Sequence, residues 1–132
     1  MQMLTSLKYL VITGAAFALA ACSSTPDQQE IAETFAKQRA AMLSNVVPVE
    51  MQGYTLVRAK ADGSQIEMTL LYSGDTQNAP SDLTNSMVNR YCNDNEVHSL
   101  MEQGVSYKLL IRDMRGRPVT EKVVDTDTCE AR

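Results

Sequence analysis

The chain holds 132 residues, room for one domain and hardly for two. Twelve Lys and Arg against sixteen Asp and Glu leave a net charge of −4, which removes any electrostatic case for a nucleic-acid partner. His98 is the only histidine and tryptophan is absent, so multi-histidine metal sites and mechanisms that need two imidazoles are excluded.

Residues 1–21 read as a leader to be removed. Lys8 closes a weakly positive start, and residues 9–21 form an uncharged, largely apolar run of thirteen. A bilayer needs roughly 20 such residues to be crossed. The run ends in Leu19-Ala20-Ala21-Cys22, whose small residues suit a peptidase cleft and whose thiol suits acylation. This is a lipobox, and it predicts a bacterial lipoprotein with its covalent lipid on Cys22. Removing the leader and its one charge takes the net charge to −5. Ser23 stands where an Asp would retain a lipoprotein in the inner membrane, so it predicts sorting to the inner leaflet of the outer membrane, facing the periplasm. Two or more acyl chains hold a protein stably at a membrane where one does so only marginally. Residues 22–26 are then a short lipidated tether and 27–132 the folded domain.

The elements follow in chain order. Asp27 is a helix N-cap with Glu30 at the capping-box spacing. Ile31, Phe35, Met42 and Val46 then recur on one helical stripe opposite Glu33, Lys37 and Arg39, and Pro48 predicts an end near Ser44. Residues 54–61 and 65–72 read as a hairpin around Asp62-Gly63. A four-residue loop, 61–64, would pair Lys60 with Gln65 and Arg58 with Glu67 on the solvent side. It would pair Ala59 with Ile66 and Val57 with Met68 on the buried side.

Residues 73–81 are loop. A helix from about Ser81 or Asp82 to Cys92 carries Leu83, Met87, Val88 and Tyr91, and Asn93-Asp94-Asn95 breaks it. A second short helix, 95–103, carries Val97, Leu100 and Met101 and ends at Gly104. Residues 105–113 and 119–125 form a second hairpin around Arg115-Gly116, and the last seven residues read as irregular. The expected fold is α+β, a four-stranded antiparallel sheet made of two hairpins with helices packed on it. The strand order is not readable. Leu71 and Leu110 fall on solvent faces, either as a patch for a partner or beneath a second layer made by the first helix.

Of the three cysteines, lipid consumes Cys22, so Cys92 and Cys129 are expected to form one structural disulfide in an oxidising compartment. No nucleophile elbow or phosphate loop occurs. His98 sits on an amphipathic helix, and the carboxylate pairs Asp125/Asp127 and Asp94/Glu96 sit in turns. These are ordinary surface placements, so the expected protein is not an enzyme and needs no cofactor or metal beyond its lipid. Six methionines remain after the leader, a residue that fills cores and also lines adaptable grooves.

With the leader, helices, hairpins and cysteine pair in place, the chain resembles the type II secretion pilotins of the AspS (GspS-beta) class. The residues that carry the resemblance are Gly53-Tyr54-Thr55-Leu56-Val57, Ile66-Glu67-Met68-Thr69, Cys92, Gly104-Val105-Ser106-Tyr107 and Asp127-Thr128-Cys129. They run through essentially all of the chain after the leader, and their order and spacing are specific where no single piece is. The resemblance implies an α/β lipoprotein that binds the C-terminal helical segment of a secretin subunit. It would carry that segment along the lipoprotein sorting machinery and promote secretin assembly in the outer membrane. A tail that folds on binding can lay its apolar face in a hydrophobic groove. Leu83, Met87, Leu100, Met101 and Leu110 are the candidate lining residues, with plain core packing as the competing role for each. Two other readings are a lipoprotein inhibitor of a cell-wall hydrolase, using loop 73–81, and a structural envelope lipoprotein.

Overall fold

A computed structural model describes residues 27–51, 53–74 and 79–132. The lipobox, Cys22, Ser23 and the tether 22–26 lie outside the described residues.

Helix α1, Gln28–Ser44, starts where the Asp27 carboxylate accepts the Glu30 backbone N–H at 2.8 Å. Its buried ridge is not the expected Ile31, Phe35, Met42, Val46 stripe, of which Phe35 packs partly buried against the core. Ala32, Ala36 and Ala40 face the core, while Met42 and Val46 are 60% and 59% exposed. Methyl side chains at a spacing of four let the helix approach its neighbours closely, so side-chain size gave way to fit. At the closest approach, a Cβ added to Gly104 (φ +105°) would meet the Ala32 Cβ at 3.2 Å. Gln28 Nε2 also donates to the Gln103 carbonyl at 2.6 Å, holding the start of α1 beside that turn.

Five strands form one sheet: β1 (Val49–Met51), β2 (Tyr54–Asp62), β3 (Gln65–Tyr72), β4 (Ser106–Asp113) and β5 (Pro118–Val124), in that spatial order. The expectation of four antiparallel strands is corrected in two ways. β1 is a fifth strand on the edge, and β3 and β4 run parallel. Both hairpins exist as antiparallel pairs. Between them the chain crosses through α2 (Pro80–Asn93) and α3 (Asn95–Glu102), and a long helical crossover returns the next strand in the same direction. β1 spans three residues, too few for its alternation to stand out.

The first hairpin turns on two residues, with Gly63 at φ +60° in the first loop position. Lys60 therefore faces Glu67, with Nζ and Oε2 3.3 Å apart, and Ala59 faces Met68. The expected register is corrected by two residues. A two-residue slip preserves the faces, so Ile66 and Met68 are buried as anticipated. A bulge between Leu56 and Arg58 takes Val57 out of the buried row and lets both Leu56 and Ala59 enter it.

The three long helices share one core with one face of the sheet. Ala36, Val88 and Met101 pack in the same cluster as Leu56, Leu70, Leu109 and Val124. The opposite face carries Glu67, Lys108, Leu71 and Leu110, the last two half-buried. No second layer from α1 lies over these leucines, since α1 packs on the core face.

The C-terminus is not irregular. α4, Thr126–Glu130, is closed by a reciprocal capping box in which Asp125 Oδ1 accepts the Thr128 N–H at 2.9 Å. Cys129 on α4 is disulfide-bonded to Cys92 on α2, with Cα atoms 5.5 Å apart, as the cysteine count requires. Arg132 Nη1 donates to Asn89 Oδ1 at 3.0 Å and adds a second tie between the terminus and α2.

Candidate functional site

α2 begins at Ala79-Pro80, with proline in the first turn and no side-chain cap. From there Leu83, Ser86, Met87, Arg90 and Tyr91 fall on one stripe, the i, i+3, i+4, i+7, i+8 pattern of a helix face. That stripe does not close onto the sheet at its first two strands. It leaves a groove of about 440 Å³ floored by Tyr54 and Leu56 of β2 and Met68 of β3, with Val49 and Met51 of β1 along the other wall. Asp82, Ser86 and Arg90 stand exposed on its rim. α1 covers β2 near Ala59, where Ser44 Oγ donates to the Ala59 carbonyl at 2.7 Å, and the groove lies beyond that cover.

The floor is stiffened by aromatic and sulfur contacts. Tyr54 and Tyr72 stack with centroids 5.1 Å apart, and Tyr91 and Tyr107 meet tilted at 4.9 Å. The Tyr91 hydroxyl donates to Met68 Sδ at 3.2 Å. Burial, followed by the neighbouring Tyr107, pushes the Tyr91 hydroxyl up to about 12. Burial also raises Tyr107, and the nearby Arg39 guanidinium opposes it. A group whose folded value is raised lends its full stability below the unfolded value and loses it as pH rises. Unfolding free energy should therefore fall between pH 10 and 12 by about 2 kcal/mol on account of Tyr91, taking roughly 1.4 kcal/mol per unit. Urea titrations across that range should show a shallower decline for Tyr91→Phe; an unchanged slope would refute this assignment.

Of the five residues expected to line a partner groove, Leu83 and Met87 line this cleft, Leu83 half-buried and Met87 buried. Met101, 3% exposed, is core beneath α3, and Leu100 packs half-buried against that core. Leu110 lies on the opposite face of the sheet, beside Val119 and Glu121. The five do not converge. Half-buried Val49 and Met51 complete the groove wall instead, over a floor of Tyr54, Leu56 and Met68 that are themselves core. A faint period-two signal was available, since Val47, Val49 and Met51 alternate with Pro48 and Glu50.

The carboxylates singled out as possible acids have structural roles. Asp94 caps α3 by accepting the Val97 N–H at 3.0 Å, and Asp125 caps α4. His98 Nδ1 lies 3.2 Å from Glu102 one turn along α3. Among the described residues no cluster of His, Cys, Asp or Glu could hold a metal ion, and no helix is long and apolar enough to cross a membrane. Residues 75–78 of loop 73–81 lie outside the described residues.

The family model for the type II secretion system pilotin, S protein, matches residues 28–129. The chain belongs to that pilotin family. It is 30% identical over 113 residues to Pilotin AspS 2 of Escherichia coli O78:H11 and, over the same length, to Lipoprotein YghG of Escherichia coli K12, covering 84% of this chain and 81% of each relative. The solved type II secretion pilotin EpsS of Vibrio vulnificus superposes with a TM-score of 0.72 at 27% identity, over 77% of this chain and 94% of that one. The groove described above thus lies in a chain with the pilotin fold. Family membership favours a pilotin over a hydrolase inhibitor or a structural envelope protein.

Proposed function

We propose that this pilotin is an outer-membrane lipoprotein, acylated on Cys22, whose groove binds the C-terminal helical segment of a type II secretin subunit and pilots that subunit's targeting and assembly. The observation that carries the reading is the apolar groove between β1 and α2, which lies above the buried Tyr54, Leu56 and Met68 and over which no helix of the described residues is laid as a cover. An amphipathic helix laid there would supply that cover. The disulfide-tied α2 forms one wall before any partner arrives, which lowers the ordering cost of binding. The lipobox and Ser23 supply the address, and the lipoprotein sorting machinery is the second partner the reading requires.

A synthetic peptide of the secretin C-terminus should bind the mature lipoprotein in detergent, and a scrambled peptide should not. Equal binding of the two would end the proposal. Ser23→Asp should hold the protein in the inner membrane, read by density fractionation of the envelope. An unchanged distribution would remove the sorting part alone.

A further inference from the structure

The rim of the groove is electrically polar along its length. Asp82 stands near the start of α2 and Arg90 near its end, both exposed, and neither has an ion pair among the described residues. Eight residues of helix separate them, about 12 Å along the axis. Between them lies the ridge of Leu83 and Met87, a spacing of four that fits the ridge of another helix. We propose that the groove admits its helical occupant in one direction, antiparallel to α2, with an acidic residue in the occupant's first turn facing Arg90 and a basic residue in its last turn facing Asp82.

Two independent effects agree on this direction. Helix dipoles side by side attract when antiparallel and repel when parallel. Acidic side chains stabilise the first turn of a helix and basic ones the last. An antiparallel occupant places those same charges opposite Arg90 and Asp82 respectively. A parallel occupant with the same helix-stabilising charges would set acid against Asp82 and base against Arg90. The apolar ridge supplies most of the affinity and the two rim charges choose the orientation, the usual division between packing and charge complementarity.

The inference rests on the groove reading above, and its test separates the two. Two secretin C-terminal peptides, one with a benzophenone at its first residue and one at its last, are photocrosslinked to the mature lipoprotein in detergent and mapped by mass spectrometry. The first should mark residues 88–93 and the second residues 79–84. The double exchange Asp82→Arg with Arg90→Asp should weaken the native peptide by about tenfold. A peptide with its end charges exchanged should recover that loss. The reverse crosslinking pattern, both probes marking both ends, or an affinity indifferent to the double exchange overturns the orientation while the groove reading stands. A peptide that does not bind at all overturns both.

Discussion

Replacing Cys92 and Cys129 together by alanine lowers the unfolding free energy of this pilotin by about 4 kcal/mol, the chain-entropy value for a sequence separation of 37. The bridge joins the last turn of α2 to α4, a helix of five residues. A helix that short does not persist in water unaided. Its other polar holds include the Asp125–Thr128 capping box, the Thr128 hydroxyl donated to the Val123 carbonyl and the Arg132–Asn89 hydrogen bond, all at or near the surface. Small domains are stable by only about 5–15 kcal/mol, so the loss is a large fraction of the total. The melting temperature should drop by ~15 °C, and dithiothreitol should bring the unaltered protein to the same value. A double variant as stable as the oxidised protein would show that the bridge is idle.

The second large effect is on binding. Leu83→Asp should weaken the secretin peptide at least ~100-fold, the scale of a central hot spot, because it sets a carboxylate on the apolar wall. Leu83 is half-buried and packs against the core, so the same change should also cost about 1–2 kcal/mol of stability and leave the domain folded. Two companions make the result specific. Leu110→Asp, on the far face of the sheet, should leave peptide affinity unaltered. Met101→Ala should cost about 2–5 kcal/mol of stability, because it opens a cavity in a residue 3% exposed. Titration calorimetry with the peptide and urea unfolding separate the three. Equal loss of affinity at Leu83 and Leu110 would place the contact surface elsewhere.

What could be read in the sequence was local chemistry. Asp27 announced α1, the alternation of Val105, Tyr107, Leu109 and Ile111 announced β4, and three cysteines with one committed to lipid left one pairing. What could not be read depended on fit between distant segments. The ridge of α1 is alanine because Gly104 and the sheet come close, and nothing in the helix's own hydropathy outweighs Ile31 or Met42. The parallel pairing of β3 with β4 is a property of the crossover as a whole. The C-terminal helix was legible in principle, since Asp125 and Thr128 stand at capping-box spacing. The groove is the least legible feature, because it is defined by a place that no helix covers. Leu83 and Met87 share a stripe with core residues, and only the position of β1 decides which side of that stripe is left open.

The placement of α1 has a mechanical consequence. Its first residues sit where Gln28 meets Gln103, at the end of the sheet where β2 turns into β3 and β4 begins. The groove is built on Tyr54 and Leu56, at the opposite end of β2, and eight residues of strand separate Tyr54 from Asp62, about 26 Å. If the chain is anchored at Cys22 and loaded in the groove, as proposed above, the load pulls lengthwise along the strands. The rungs of the β2–β3 and β3–β4 ladders then resist together, sideways to their own direction, and no single rung has to yield first. A carrier of the kind proposed would then be dragged by its burden without being unzipped.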